Sequence, residues 1–208
     1  MNEYLIPAGI GEAEYNEKRS RFLSHLRCVK SEDEARAFIA DMKKEYYDAR
    51  HNCWCYIIHD GPERYSDDGE PQGTAGIPML EVFHREGVSD LVCVVTRYFG
   101  GVLLGAGGLL RAYTKAAKDS LDEAGIARVC ALQCADIQCS YSLADRLRAE
   151  VTGNGGTLED TIYAADVTLK VLIPQESFEA FSSHIYDFTS GKCIPLKTGE
   201  KFSPIKIK

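Results

Sequence analysis

The chain has 208 residues, 45% of them apolar and 26% charged, with 24 Lys+Arg against 31 Asp+Glu and a net charge of −7. That is the composition of an ordinary globular protein, long enough for one large domain or two small ones. It excludes a membrane-spanning helix, because no apolar run approaches the roughly 20 residues that a bilayer requires. It also excludes a polybasic coat for nucleic acid, so any phosphate binding must come from a local patch. The start, MNEYLIPAGIGEAEYNEKRS, has no basic segment followed by an apolar one, which predicts no secretory signal and a cytoplasmic protein. The eight cysteines are then expected as reduced thiols, with Cys53, Cys93, Cys130 and Cys139 as small core residues in apolar runs.

In chain order, residues 11–30 alternate as a hairpin. Ser31 and Glu34 form S-x-x-E, a capping box, and Ala35, Phe38, Ile39, Met42 and Tyr46 follow at helical spacing. Residues 50–60 predict a strand and residues 61–73 a polar loop marked by Gly61-Pro62, Asp68-Gly69 and Glu70-Pro71. A short helix is expected near Ile77, with Pro78 at its first position, Met79, Leu80, Val82 and Phe83 buried, and Gly87 as its stop. Within residues 89–98 the run LVCVV is apolar on both faces, as a central strand covered on both sides requires. A glycine-rich turn leads into a helix over 107–124, closed by Gly125, with Leu109, Leu110, Tyr113, Ala116, Ala117 and Leu121 as its apolar stripe.

The last 75 or so residues predict a second unit: a strand over 131–142, a helix capped by Ser142, strands over 157–165 and 166–174, a helix carrying Phe178, Phe181, Ile185 and Phe188, and a final strand over 192–198. The order β-α-β-β-α-β is ferredoxin-like. The fold class is therefore α+β, with a first domain over 1–130 and a second over 134–208.

Two segments carry candidate chemistry. In RYFGGVLLGAGGLLRAY, residues 97–113, a glycine turn joins the central strand to a long helix, where free backbone N–H groups and the helix dipole favour anions. Gly100 to Gly105 has the spacing of a phosphate loop, but Ala106-Gly107 stands where Lys-Ser/Thr belongs, and Leu110 replaces the third glycine of a dinucleotide fingerprint. Candidate phosphate or nucleic-acid contacts are Arg97, Tyr98, Gly100, Gly101, Gly105, Gly107, Gly108, Arg111 and Lys115. Arg111, Lys115 and Lys118 share one helix face, although Lys115–Asp119 and Lys118–Asp122 also have the spacing of surface ion pairs. In SDDGEPQGTAG, residues 66–76, Asp67, Asp68 and Glu70 place three carboxylates in four residues, able either to hold Mg²⁺ or to order the turn. His51, Cys53 and Cys55 alternate on one strand face, which makes a metal site sterically possible there, but no second pair stands at zinc-finger spacing. No hydrolase elbow or zinc-protease motif is present, and no cofactor is expected.

The strings EKRSRF (17–22), DARHNCWCY (48–56), SDDGEPQGTAG (66–76) and VVTRYFGGVLLGAGGLLRAY (94–113) resemble the signature of the IMPACT family in its bacterial YigZ-type form. The resemblance covers nearly the whole chain, with the tail similar to the small C-terminal domain of bacterial members. It implies a first domain resembling a ribosomal-protein fold also found in domain four of elongation factor G, and a tail resembling domain five. It also implies a link to translational control, made in eukaryotic relatives through an additional domain absent from this sequence.

Three readings follow. The first is a non-catalytic RNA- or ribosome-binding protein that regulates translation through a basic glycine turn. The second is a Mg-dependent enzyme on a small phosphorylated or nucleotide substrate, which requires one pocket joining the two segments. The third is a protein-binding scaffold, which requires an exposed apolar patch.

Overall fold

The computed structural model describes residues 3–207. The chain divides into two compact units, Met1–Val129 with Pro204–Lys208, and Cys130–Ser203. The class is α+β.

The first unit is built on a five-stranded antiparallel sheet in the order β2-β3-β6-β4-β5, comprising β2 (Gly11–Glu17), β3 (Ser20–Cys28), β4 (His51–Ile57), β5 (Glu63–Ser66) and β6 (Leu91–Tyr98). The doubly apolar run in β6 explains its central place. Leu91, Cys93 and Val95 join a core with α2 (Gly76–Glu86) and α3 (Ala106–Ala124), whereas Val92 and Val94 join a second core with α1 (Glu32–Glu45). Outside this sheet, β1 (Tyr4–Pro7) pairs antiparallel with the first residues of β7 (Ile126–Cys139).

Local chemistry sets the helix ends. The Ser31 side chain accepts from Glu34 N at 3.2 Å, as a cap does. Glu34 reaches one residue further back than a capping box, accepting from Lys30 N at 2.8 Å. In α2 Pro78 is the third residue rather than the first, still within the turn whose N–H groups have no helical partner. Gly87 stops α2 with φ 67° and Gly125 stops α3 with φ 71°. Leu110, expected in the apolar stripe of α3, is half exposed.

The second unit runs β7, α4 (Tyr141–Gly153), β8 (Thr157–Tyr163), β9 (Val167–Pro174), α5 (Phe178–Phe188) and β10 (Leu196–Lys206), with sheet order β10-β7-β9-β8. This is the ferredoxin-like β-α-β-β-α-β arrangement. Alternate residues Ala135, Ile137, Leu169, Val171 and Ile173 pack against Leu147, Val151, Phe178, Phe181 and Ile185 of the helices. Two details differ from expectation. Helix α4 begins after Ser140 rather than Ser142, and the last strand starts at Leu196, so that residues 192–195 precede it.

His25 on β3 sits against the Tyr46 ring, centroids 5.1 Å apart, and its buried Nε2 has no hydrogen-bond partner. Burial lowers its pKa below the ordinary 6.5. The unfolded chain therefore binds a proton near pH 6.5 that the folded chain takes up only at lower pH, so this contribution to stability is present above pH 6.5 and lost as pH falls below it. Denaturant midpoints compared at pH 7.5 and 5.5 are expected to fall less in His25→Gln than in the parent; equal falls contradict the assignment.

Candidate anion-binding cavity

Strand β6 alternates in step with its neighbours, so Arg97 continues the face of Leu91, Cys93 and Val95 and lies opposite His51 on β4 and Phe22 on β3. The guanidinium is buried between the rings of Phe22 and Phe99, 5.4 and 5.5 Å from their centroids. Arg97 Nη1 donates to Glu70 Oε1 at 2.7 Å and Tyr113 OH donates to the same oxygen at 2.9 Å. Arg97 Nη2 reaches Ser20 Oγ at 3.4 Å, and its buried Nε is unpartnered. Burial, with Cys53 and Glu70 beside it, pushes the Tyr113 hydroxyl well above its ordinary value and keeps it a donor.

Past Phe99 the chain turns at Gly100. An added Cβ there would lie 2.1 Å from Arg19 C and 2.2 Å from Arg19 O, so only glycine lets this turn rest on the β2–β3 hairpin. Gly100 N donates to Ser20 Oγ at 3.1 Å. The hairpin turn is Lys18-Arg19, with φ 45° and 70°, the left-handed pair of a two-residue turn. Helix α3 then begins after Gly105 with no side-chain cap and no acid in its first turn, so the N–H groups at its start face no built-in anion.

The three carboxylates of 66–76 diverge. Asp67 accepts from Gly73 N (2.8 Å), Ala75 N (3.1 Å) and Gly76 N (2.8 Å), and so caps α2 from the loop. Asp68 accepts from Asn52 N at 2.7 Å and Lys43 Nζ at 2.6 Å. Glu70 points into the core at Arg97 and Tyr113. The Mg²⁺ reading of these side chains is thus corrected to loop ordering: among the described residues no group of three His, Cys, Asp or Glu is placed to hold a metal. The alternation of His51, Cys53 and Cys55 yields no metal site either. Cys53 Sγ lies 3.0 Å from Asp67 O and 3.3 Å from Tyr113 OH, either of which can accept its one proton, and burial raises the Cys53 and Cys55 thiols.

The two sequence segments meet at a cavity of about 390 Å³. Its walls include Phe99, Leu104 and Leu109, and its polar lining comprises Arg50, His51, Glu70 and Arg97. His51 Nδ1 lies 2.8 Å from Asp68 O and donates to that carbonyl, which leaves Nε2 as the ring's free acceptor.

The predicted cations do not form one cradle, a correction to the sequence reading. Arg97 is neutralised in the core by Glu70, whereas Arg111 lies on the other side of α3 in a smaller hollow of about 130 Å³ with Tyr15, Glu17, Lys18 and Gly108. Lys115 pairs with Asp119 and Lys118 with Asp122, the surface ion pairs that their spacing also allowed, and Lys118 lies near Glu86 as well. Tyr98 OH donates to Asp48 at 2.8 Å. Phe99, Val102, Leu103 and Leu110 are exposed along the glycine segment. Sequence reasoning missed Lys18, Arg19 and Arg50, which lie around this turn without an ion-pair partner among the described residues. Their signal was present, since all three fall in the strings 17–22 and 48–56.

Comparison with known proteins follows the same strings. The Impact N-terminal domain model matches residues 18–121, and a domain of unknown function (DUF1949) matches residues 137–192. The chain is 36% identical over 202 residues to "IMPACT family member YvyE" of Bacillus subtilis, covering 96% of this chain and 93% of that protein. The chain belongs to the IMPACT family. "IMPACT family member YigZ" of Escherichia coli is 35% identical, covering 92% of this chain and 96% of that protein. Among solved structures, a crystal structure described as a hypothetical protein shares 34% identity at a TM-score of 0.60, covering 96% of this chain and 98% of that one. The four IMPACT strings converge here: 48–56, 66–76 and 94–113 line the cavity, and 17–22 supplies the hairpin turn under Gly100. Among the described residues no helix is long and apolar enough to cross a membrane.

Proposed function

We propose that this protein is a non-catalytic regulator of translation that binds a phosphate-bearing ligand, RNA on the ribosome, at the mouth of the cavity. One observation carries the reading: the glycine turn and the uncapped N-terminus of α3 have Arg50 on the cavity side and Lys18, Arg19 and Arg111 on the hairpin side, none of them in an ion pair among the described residues, in a molecule of net charge −7. Phosphate is attracted to free N–H groups at such an end, and cations that need not first leave a carboxylate bind it at least cost. Arg97 and Glu70 brace the site rather than touch the ligand. The setting in translation comes from the family resemblance, not from the geometry.

The expected result is that Arg50→Ala with Arg111→Ala weakens binding of a labelled single-stranded oligoribonucleotide at least tenfold in fluorescence anisotropy. Unchanged affinity removes the proposal. A second reading, a small phosphorylated substrate held in the cavity, is favoured by the cavity itself and by the unengaged Nε2 of His51. It predicts that a mononucleotide competes with the oligonucleotide at comparable concentration and is turned over, with turnover lost in His51→Gln.

A further inference from the structure

On the opposite face of the same sheet, a second concavity of about 480 Å³ lies between α1 and strands β4 and β5. Its floor is aromatic: Trp54 and Tyr56 alternate along β4, with ring centroids 5.8 Å apart and planes 5° apart. Arg36, Lys43 and Arg64 line it, Arg64 standing opposite Tyr56 on the edge strand. Tyr56 OH donates to Glu32 Oε1 at 2.6 Å, so that ring is fixed and buried. Trp54 is only partly buried, and its indole N–H has no partner among the described residues.

We propose that this groove is a docking site for single-stranded nucleic acid, with a base stacked on Trp54 and the flanking phosphates on Arg36, Lys43 and Arg64. The chemistry selects this occupant over others. An aromatic floor accepts the π-face of any base, and the cations beside it exclude a cationic ligand. Arg64 has no carboxylate within ion-pair distance among the described residues, so its charge is available. Arg36 and Lys43 pair with Glu32 and Asp68, but their side chains keep exposures of 68% and 41%, and pairs of this kind hold by about 1 kcal/mol or less. The site does not depend on the cavity on the other face, and the two can fail separately.

Trp54 is the sole tryptophan, so intrinsic fluorescence reads occupancy of this site directly. Titration of the full chain with a uridine trinucleotide is expected to quench it saturably. Arg36→Ala with Arg64→Ala is expected to shift the midpoint at least tenfold, and Arg50→Ala with Arg111→Ala to leave it within twofold. Inorganic polyphosphate and an acidic peptide are expected to give no quench. Absence of quenching, quenching unaltered by the Arg36 and Arg64 changes, equal quenching by polyphosphate or acidic peptide, or an equal midpoint for a mononucleotide overturns the proposal. Since Arg36 and Arg64 are exposed, circular dichroism of their variant is expected to match the parent.

Discussion

Glu70→Ala is expected to lower the unfolding free energy of the first unit by about 3–5 kcal/mol, because it leaves the Arg97 charge buried without its partner. Both groups are inaccessible, with side-chain exposures of 7% for Arg97 and 3% for Glu70, so water cannot replace the lost contact. The same change strips the Tyr113 hydroxyl of its acceptor, in a position where burial has already fixed it as a donor. Replacing both members, Arg97→Met with Glu70→Leu, is expected to recover part of the loss, since no charge then stays buried unpaired, while the Tyr113 hydroxyl still lacks its acceptor. Urea denaturation followed by Trp54 fluorescence reports this unit. A loss below about 1 kcal/mol for the single change would mean that the pair behaves as a surface ion pair.

Gly100→Ala is the second large effect. The new methyl would sit 2.1 Å from a backbone carbon of Arg19 and 2.5 Å from Ser20 N, and main chain cannot swing aside as a side chain can. Either the hairpin or the turn must shift, breaking the Gly100 N–Ser20 Oγ bond and loosening Ser20 from Arg97. Overpacking of this kind costs about 1–3 kcal/mol, and here the loss is expected at the upper end because main chain must move. Gly107→Ala is the control. It is an exposed position in the first turn of α3, an added Cβ would meet only the flexible end of Arg111 at 3.9 Å, and the helix preference of Ala favours it by up to about 1 kcal/mol. Similar midpoints for the two variants would show that the turn does not rest on the hairpin.

The parts of the fold written in local pattern were legible. The doubly apolar run of β6, the glycine stops of α2 and α3, and the phenylalanine spacing of α5 each needed only neighbouring residues. Strands β1 and β5 were missed, the first a four-residue piece and the second a polar edge strand within an expected loop. Strand β10 is exposed along nearly its whole length, so no apolar alternation marked its true start. At the site, period two already put Arg97 on the buried face of β6, a hint that it pairs internally instead of meeting a ligand. The divergence of Asp67, Asp68 and Glu70 was not readable. It depends on left-handed φ values of 42° at Asp68 and 86° at Gly69, which turn successive side chains towards α2, β4 and the core. Likewise, the nearness of Arg19 and Ser20 to Gly100 is a contact across some 80 residues, which no local pattern encodes.

The most direct measurement is the salt dependence of RNA binding. Each phosphate contact to a single strand contributes about 0.7 to the slope of log K against log salt. Changing Lys18, Arg19, Arg50 and Arg111 together to Ala is expected to flatten that slope by roughly two to three, while Lys30→Ala with Lys44→Ala, away from the turn, leaves it unchanged. A slope identical in the parent and the fourfold variant would contradict the assignment of these cations to phosphate.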